Sequence, residues 1–305
     1  MSASADAAVA LGSRASTAGA LRRDARRERR VLIGLSMPAV ALVLVFMVLP
    51  VGWLFWLSLF DDSGAVSLVN YVRIFTKQTY LNSFSVTFTV SLTVTLLCIG
   101  LGYPVAYLLS ELPRRVAGLL MAAVMLPYWT SVLVRTYAWL ILLQRSGLIN
   151  EWAQHLGLIS EPLPLANNLT GTVIGMTHIM LPFFILPLYA AMRSIDRIYM
   201  TAAASLGASP TRAFWTIFVP LSVQGLAAGS FLVFVLCMGF YVTPAVLGGG
   251  RVIMMAQQIE RSITLYSNWG AASALGVALL AMTVLVLAIG ALIGKLLFRP
   301  RGGDR

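Results

Sequence analysis

Six long stretches of this chain carry no Asp, Glu, Lys or Arg: residues 31–60, 78–110, 116–134, 162–192, 213–250 and 262–294. The shortest has 19 residues and the longest 38. A helix crossing the hydrocarbon core of a bilayer needs about 20 predominantly apolar residues. Each stretch therefore holds one span, and even the longest is too short for two spans and a connection. Composition points the same way. The 305 residues are 59% apolar and 11% charged, against about 45–50% and about 25% in soluble domains. Too few charges remain to coat a soluble globular enzyme, and the apolar content excludes a disordered chain. Cys98 and Cys237 both sit inside apolar runs, where a thiol acts as a small packing residue rather than half of a secreted disulfide framework.

The spans read as helices. Barrel strands alternate apolar and polar residues, whereas the run ALVLVFMVLP at 41–50 does not. With no water to satisfy an open backbone, helices remain. Trimming polar ends predicts an all-α integral membrane fold with six transmembrane helices near 35–59, 84–109, 116–142, 170–191, 219–241 and 271–297. These belong to one membrane domain over 31–300, preceded by a basic, disordered tail over 1–30 that touches anionic lipid. The tail is a poor secretory signal, because the apolar run from Val31 is about twice the usual length.

Orientation follows from the cations. Sixteen of the 22 Lys and Arg lie in the tail, in the 110–115 and 192–212 connections and from Lys295 at the end of the sixth span onward. Five lie on the other side, and Arg135 falls in neither set. The positive-inside bias predicts that both termini are cytoplasmic. It also accounts for the net charge of +11 without any nucleic-acid partner. Gly171/Gly175, Gly225/Gly229 and Gly290/Gly294 are spaced for close helix approach. Pro182 and Pro187 are expected to kink the fourth span, and His178, one turn before Pro182, reads as a packed, hydrogen-bonded histidine.

Several chemistries are missing. The two lysines, Lys77 and Lys295, are followed by Gln78 and Leu296, so no phosphate-binding Gly-x-x-x-x-Gly-Lys-Ser/Thr loop exists. No His-Glu-x-x-His, Cys-x-x-Cys or Gly-x-Ser-x-Gly motif occurs. The chain is not expected to be an enzyme or to bind a cofactor or metal. No acid lies deep in a span, although ion-coupled carriers usually bury one. A secondary carrier or channel working without an ATPase is the alternative reading, and the missing acids weigh against it. A membrane-embedded enzyme lacks any visible nucleophile–base pair.

The connection between spans four and five, within a segment set at 196–220, reads YMTAAASLGASPTRAFWTIFVPL at 199–221. A helix over 201–206 would stop at Gly207, a natural left-handed C-terminal residue. Ser209 then suits an N-cap and Pro210 the first helical position. This helix–turn–helix resembles the "EAA" loop of type I ABC importer permeases. Ala202 and Ala203 match its alanines, Gly207 its glycine, Ile217 its isoleucine and Pro220 its proline, while Val219 replaces leucine and Thr201 replaces the glutamate. The resemblance implies that 201–207 docks on a cytoplasmic ATPase. LPYWTSVLVRTYAW at 126–139, GFYVTPAVLGGG at 239–250 and NWGAASA at 268–274 are similar to the spermidine/putrescine branch of these permeases. What the resemblance implies is a multi-pass subunit of the bacterial inner membrane that forms half of an alternating-access pore for polyamines or related small organic solutes. Its implied partners are an ATPase dimer that uses the ATP, a second and distinct permease subunit, a periplasmic substrate-binding protein and membrane lipid.

Seven residues are candidates for the pathway or outer gate. Arg135 either snorkels, pairs with a neighbour such as Glu260, or contacts the binding protein. Tyr128, Trp129, Tyr137 and Trp139 form an interfacial belt, or present their π-faces to an amine. Tyr241 lies in the second matched segment, and Glu260 is a solvated loop charge or attracts a cation.

Overall fold

The computed structural model describes residues 3–61 and 64–297. Arg299, Arg301 and Arg305, counted above as cytoplasmic cations, lie outside the described residues. The chain divides into two units, one through Trp56 and one from Leu57 onward. The first is built on one helix, α1 (Ala3–Leu57), whose apolar segment Val31–Leu57 has a mean hydropathy of 2.7. The helix extends back through the basic segment where the sequence suggested a disordered tail. That segment is rich in Ala and Arg, both strong helix formers.

The second unit contains α2 (Val69–Thr76), α3 (Gln78–Glu111), α4 (Arg114–Met125), α5 (Val132–Leu142), α6 (Leu148–His155) and α7 (Leu169–Arg193). It continues with α8 (Ile198–Ser205), α9 (Pro210–Ala213), α10 (Val219–Met238), α11 (Val242–Leu247), α12 (Met255–Thr264) and α13 (Trp269–Leu297). Among the described residues, five helices are long and apolar enough to cross a membrane, and α4 with α5 makes a sixth if the pair counts as one span.

The core is the triple contact of α3, α7 and α10. Val90, Val94 and Cys98 of α3 pack with Met176, Met180 and Phe184 of α7 and with Val233 and Cys237 of α10. Among lipid-embedded helices the drive is close packing rather than exclusion of water, and small residues permit it. Phe184 is wedged between two of them. A Cβ on Gly102 of α3 would lie 2.5 Å from its ring, and one on Gly229 of α10 would lie 2.9 Å from its carbonyl oxygen. Gly225, one turn from Gly229, brings α10 against Pro187, Leu188 and Ala191 of α7. Some hydroxyls inside this core are satisfied locally, whereas Ser91 Oγ and Thr177 Oγ1 have no hydrogen-bond partner. Thr87 and Thr95 each donate at 2.7 Å to the carbonyl four residues back. Thr87 Oγ1 also accepts from the backbone N–H of Met255 at 2.8 Å, tying α12 to α3.

The third span, expected as one helix near 116–142, is broken. Arg114–Trp129 and Val132–Leu142 meet at 91°. Pro127 removes a backbone donor, and Leu126–Trp129 tightens into a 3₁₀ turn. Thr130 and Ser131 then run extended, with ψ of 154° and 139°. Thr130 holds the corner by donating its hydroxyl to the Pro127 carbonyl at 2.7 Å. In α7, by contrast, Pro182 and Pro187 lie inside an unbroken helix.

Candidate functional site

The connection at 196–220 takes its form from its caps. α8 ends in a Schellman turn: Gly207 N–H donates to Ala204 O at 2.9 Å and Ala208 N–H to Ala203 O at 3.0 Å. Gly207 has φ of +82°, the left-handed conformation this motif needs. Ser209 then accepts from Arg212 N–H at 3.4 Å as N-cap, with Pro210 in the first turn of α9. The turn projects apolar surface outward, and Leu206 is 88% exposed and Trp215 65%. Ala203 packs inward while Thr201 and Ala202 are exposed. The Thr201 hydroxyl folds back on its own helix, donating to Arg197 O at 3.2 Å.

Two arginines moor this connection to the end of α3. Arg193 Nη1 donates to Ser110 O at 2.7 Å and to Leu112 O at 2.9 Å. Arg197 Nη2 donates to Glu111 O at 3.2 Å and lies 3.5 Å from its carboxylate. Cations here meet the carbonyls that a helix end leaves unpaired.

Between α9 and α10 the backbone widens into a π turn over Phe214–Phe218, a feature that often marks functional positions. It carries an aromatic cluster absent from the sequence reading. The Phe214 ring meets Tyr107 edge-on at 5.0 Å and Tyr103 at 6.4 Å, and stacks on Phe218 at 5.8 Å. Tyr107 also meets Phe218 at 5.1 Å. The Tyr103 hydroxyl is hydrogen-bonded to Ser222 of α10 at 2.9 Å. Ile217 is half-buried in the same turn, and Pro220 stands in the first turn of α10. The exposed turn is thus joined to two core helices through rings. The sequence signal was the spacing of Tyr103 and Tyr107, one helical turn apart, opposite an aromatic-rich entry to α10.

The pathway candidates gather mainly at the broken span. Tyr128 packs edge-on against Phe183 at 5.4 Å, and the Arg135 guanidinium carbon lies 5.9 Å from the Tyr128 ring centre. Trp139, one turn beyond Arg135, donates its indole N–H to His178 Nδ1 at 3.2 Å. Trp129 and Tyr137 are exposed. Thr136 and Thr243 share a hydrogen bond of 3.1 Å that joins α5 to α11, and Tyr241 is the residue before α11. Arg135 does not pair with Glu260. The Glu260 carboxylate accepts instead from Thr264 at 3.0 Å, on its own helix. An i, i+4 hydroxyl was simply the nearer partner. Glu260 and Arg135 therefore do not form an ion pair.

Comparison with known proteins places these features. The model of the family described as "Binding-protein-dependent transport system inner membrane component" matches residues 99–299. The spermidine/putrescine transport system permease protein PotB of Haemophilus influenzae is 31% identical over 237 residues, covering 77% of this chain and 82% of that protein. PotB of Escherichia coli K12 is 31% identical over 233 residues, covering 75% and 84%. A chain of a bacterial ABC transporter that imports the acidic polysaccharide alginate has the same fold, with a TM-score of 0.67 over 91% of this chain and 99% of its own, at 16% identity. The matched region begins within α3 and spans the broken span, α7, the Gly207 turn and α10. This chain belongs to the binding-protein-dependent transport system inner membrane components, the permease subunits of ABC importers.

Proposed function

We propose that this chain is half of the pore of an ATP-driven importer for polyamines or related small organic solutes, with 196–220 as the segment that receives the power stroke. The supporting observation is the Gly207 turn, an exposed apolar knob followed within a few residues by the π turn and by α10. Both termini face the cytoplasm in this reading, which puts the knob on the side where ATP is available. ATP is hydrolysed by a separate dimer. A second, distinct permease subunit completes the pore, and a periplasmic binding protein delivers the solute. The polyamine assignment rests on the kinship with the PotB proteins.

In this mechanism the ATPase dimer closes and displaces the knob. Arg193 and Arg197 hold its upstream end to α3, so the displacement passes into the π turn. The rings of Phe214 and Phe218 press on Tyr107, and α10 tilts against α3 and α7. The bent third span, joined to α11 by Thr136 and Thr243, borders the path that opens.

Purified complex in vesicles, with binding protein outside and ATP inside, should accumulate labelled putrescine or spermidine. Uptake by this chain alone without ATP would overturn the importer reading. Phe214→Leu tests the relay. Leucine fills much of the volume but has no ring edge for Tyr107. Uptake per ATP hydrolysed should fall at least about fivefold, the low end of a typical coupling free energy, while the ATPase still binds. Uptake and hydrolysis that fall together would point to lost docking instead.

A further inference from the structure

A cavity of about 870 Å³ lies between α2, the start of α3, α12 and the start of α13. It is at the Gln78 end of α3, whereas the Gly207 connection is moored at the Glu111 end. The 34 residues of α3 span about 50 Å, enough to put the cavity at the opposite membrane face. Inside it, Gln258 of α12 is only 7% exposed and lines the wall. The Gln258 backbone carbonyl accepts from Ser262 at 2.9 Å. The carboxamide, with its two N–H donors, has no hydrogen bond among the described residues. Buried polar side chains are nearly always paired, so an open carboxamide facing a cavity points to a ligand.

The rest of the wall gives the chemistry of that ligand. Two cations, Arg73 and Lys77, line the cavity with one acid, Asp61. Tyr80 and Trp269 line it too, and such rings favour the level of lipid headgroups. α2 supplies an apolar shoulder. Its Ile74 is buried in the core, whereas Val72 is exposed and Phe75 is 74% exposed. A helix that turns an apolar face outward beside basic residues lies in the boundary between headgroups and acyl chains. A water-soluble partner would leave Phe75 wet, and acyl chains cover it.

We infer that this cavity binds the phosphate headgroup of an anionic phospholipid. Lys77 and the Gln258 carboxamide donate to the phosphate oxygens, and Phe75 lies against the acyl chains. A phosphate accepts several charge-assisted bonds at once, which suits a wall rich in donors. The surplus cation disfavours a zwitterionic headgroup, whose own ammonium would sit beside Lys77. The lipid belongs to the outer leaflet, an assignment that rests on the importer reading and its orientation.

The test uses the whole permease–ATPase complex in phosphatidylcholine nanodiscs with a rising fraction of phosphatidylglycerol brominated in its acyl chains. Bromine quenches tryptophan on contact, and the share of Trp269 is the difference from Trp269→Phe. Quenching of Trp269 should saturate at a lower mole fraction of phosphatidylglycerol than of brominated phosphatidylcholine. The half-saturating fraction should rise about fivefold in Lys77→Gln, as expected for one cation at an anionic surface. It should also rise in Gln258→Leu, which keeps every charge. Arg145→Gln removes a cation outside the cavity and should change nothing. Equal quenching by the two lipids, or an equal rise in Arg145→Gln, overturns the site. Relief of quenching by inorganic phosphate assigns the cavity to a free anion, and relief by added binding protein assigns it to that protein. Either result also overturns the lipid site. ATP-driven uptake is measured in parallel. If uptake persists without selective quenching, the lipid site fails and the importer stands.

Discussion

Gly207→Val should lower ATP-driven uptake at least about tenfold while the chain still inserts and folds. Gly207 has φ of +82°, and a Cβ built there would meet no atom within 4 Å. The penalty is therefore conformational and not a collision. A left-handed residue with a side chain costs roughly 1–2 kcal/mol, and a β-branched one belongs at the unfavourable end. The turn can relax only by giving up the bonds from Gly207 and Ala208 to Ala204 and Ala203. That relaxation swings Leu206 away from the position in which it is presented. Since 1.4 kcal/mol is tenfold in an equilibrium, uptake and solute-stimulated ATPase activity should both drop at least about tenfold. Gly207→Asn should lie between glycine and valine, because asparagine tolerates this conformation. The measurement is ATPase activity in reconstituted vesicles beside the amount of inserted protein. Normal stimulated activity in the valine variant would show that the turn is not the coupling element.

The second large effect lies in the core. Gly225→Leu should prevent recovery of a stable complex. A Cβ at this position already overlaps Ala191 Cβ, and it would lie 3.2 Å from Leu188 Cα and 3.3 Å from Pro187 O. Two of these neighbours are backbone, so α10 and α7 must separate. Overpacking of this kind costs about 1–3 kcal/mol and often more when backbone must move. Gly225→Ala should be milder, and Ala191→Gly should partly rescue it by removing the overlapping methyl. The readout is thermal stability of the purified complex for both single variants and the pair. Strict additivity would mean that the two residues do not touch. Gly290→Ala offers a contrast. A Cβ there meets only the ring of Phe231, a side chain free to shift.

Gly225/Gly229 was visible in the sequence as a four-residue repeat, and the structure shows what it faces. The other repeats divide. Gly175 approaches Leu247 and Thr243 of α11, whereas a Cβ on Gly294 would meet nothing. A small-residue repeat states that a close approach is allowed, and only the partner helix decides whether it is used.

The helical spans and the capped turn at Gly207 were legible because they are written in local chemistry. Long charge-free runs demand internally satisfied helices in lipid. A glycine followed by Ser-Pro dictates a stop and a restart within a few residues. Kinship was legible for the same reason, since the matched motifs are contiguous. The 91° break in the third span was not, because apolar content is the same on both sides of Thr130 and only the backbone direction changes. The ring cluster joining Phe214 to Tyr107 was not, because its members lie more than a hundred residues apart. Arg135 shows the division within one residue. Sequence marked it as a charge in an apolar span, in need of a partner, and Glu260 was a reasonable candidate. Tertiary structure decided that Glu260 bonds on its own helix, that the guanidinium carbon lies 5.9 Å from the Tyr128 ring centre, and that two of its nitrogens have no hydrogen-bond partner. Local sequence fixes which groups must be satisfied, whereas which group satisfies them depends on distances that only packing sets.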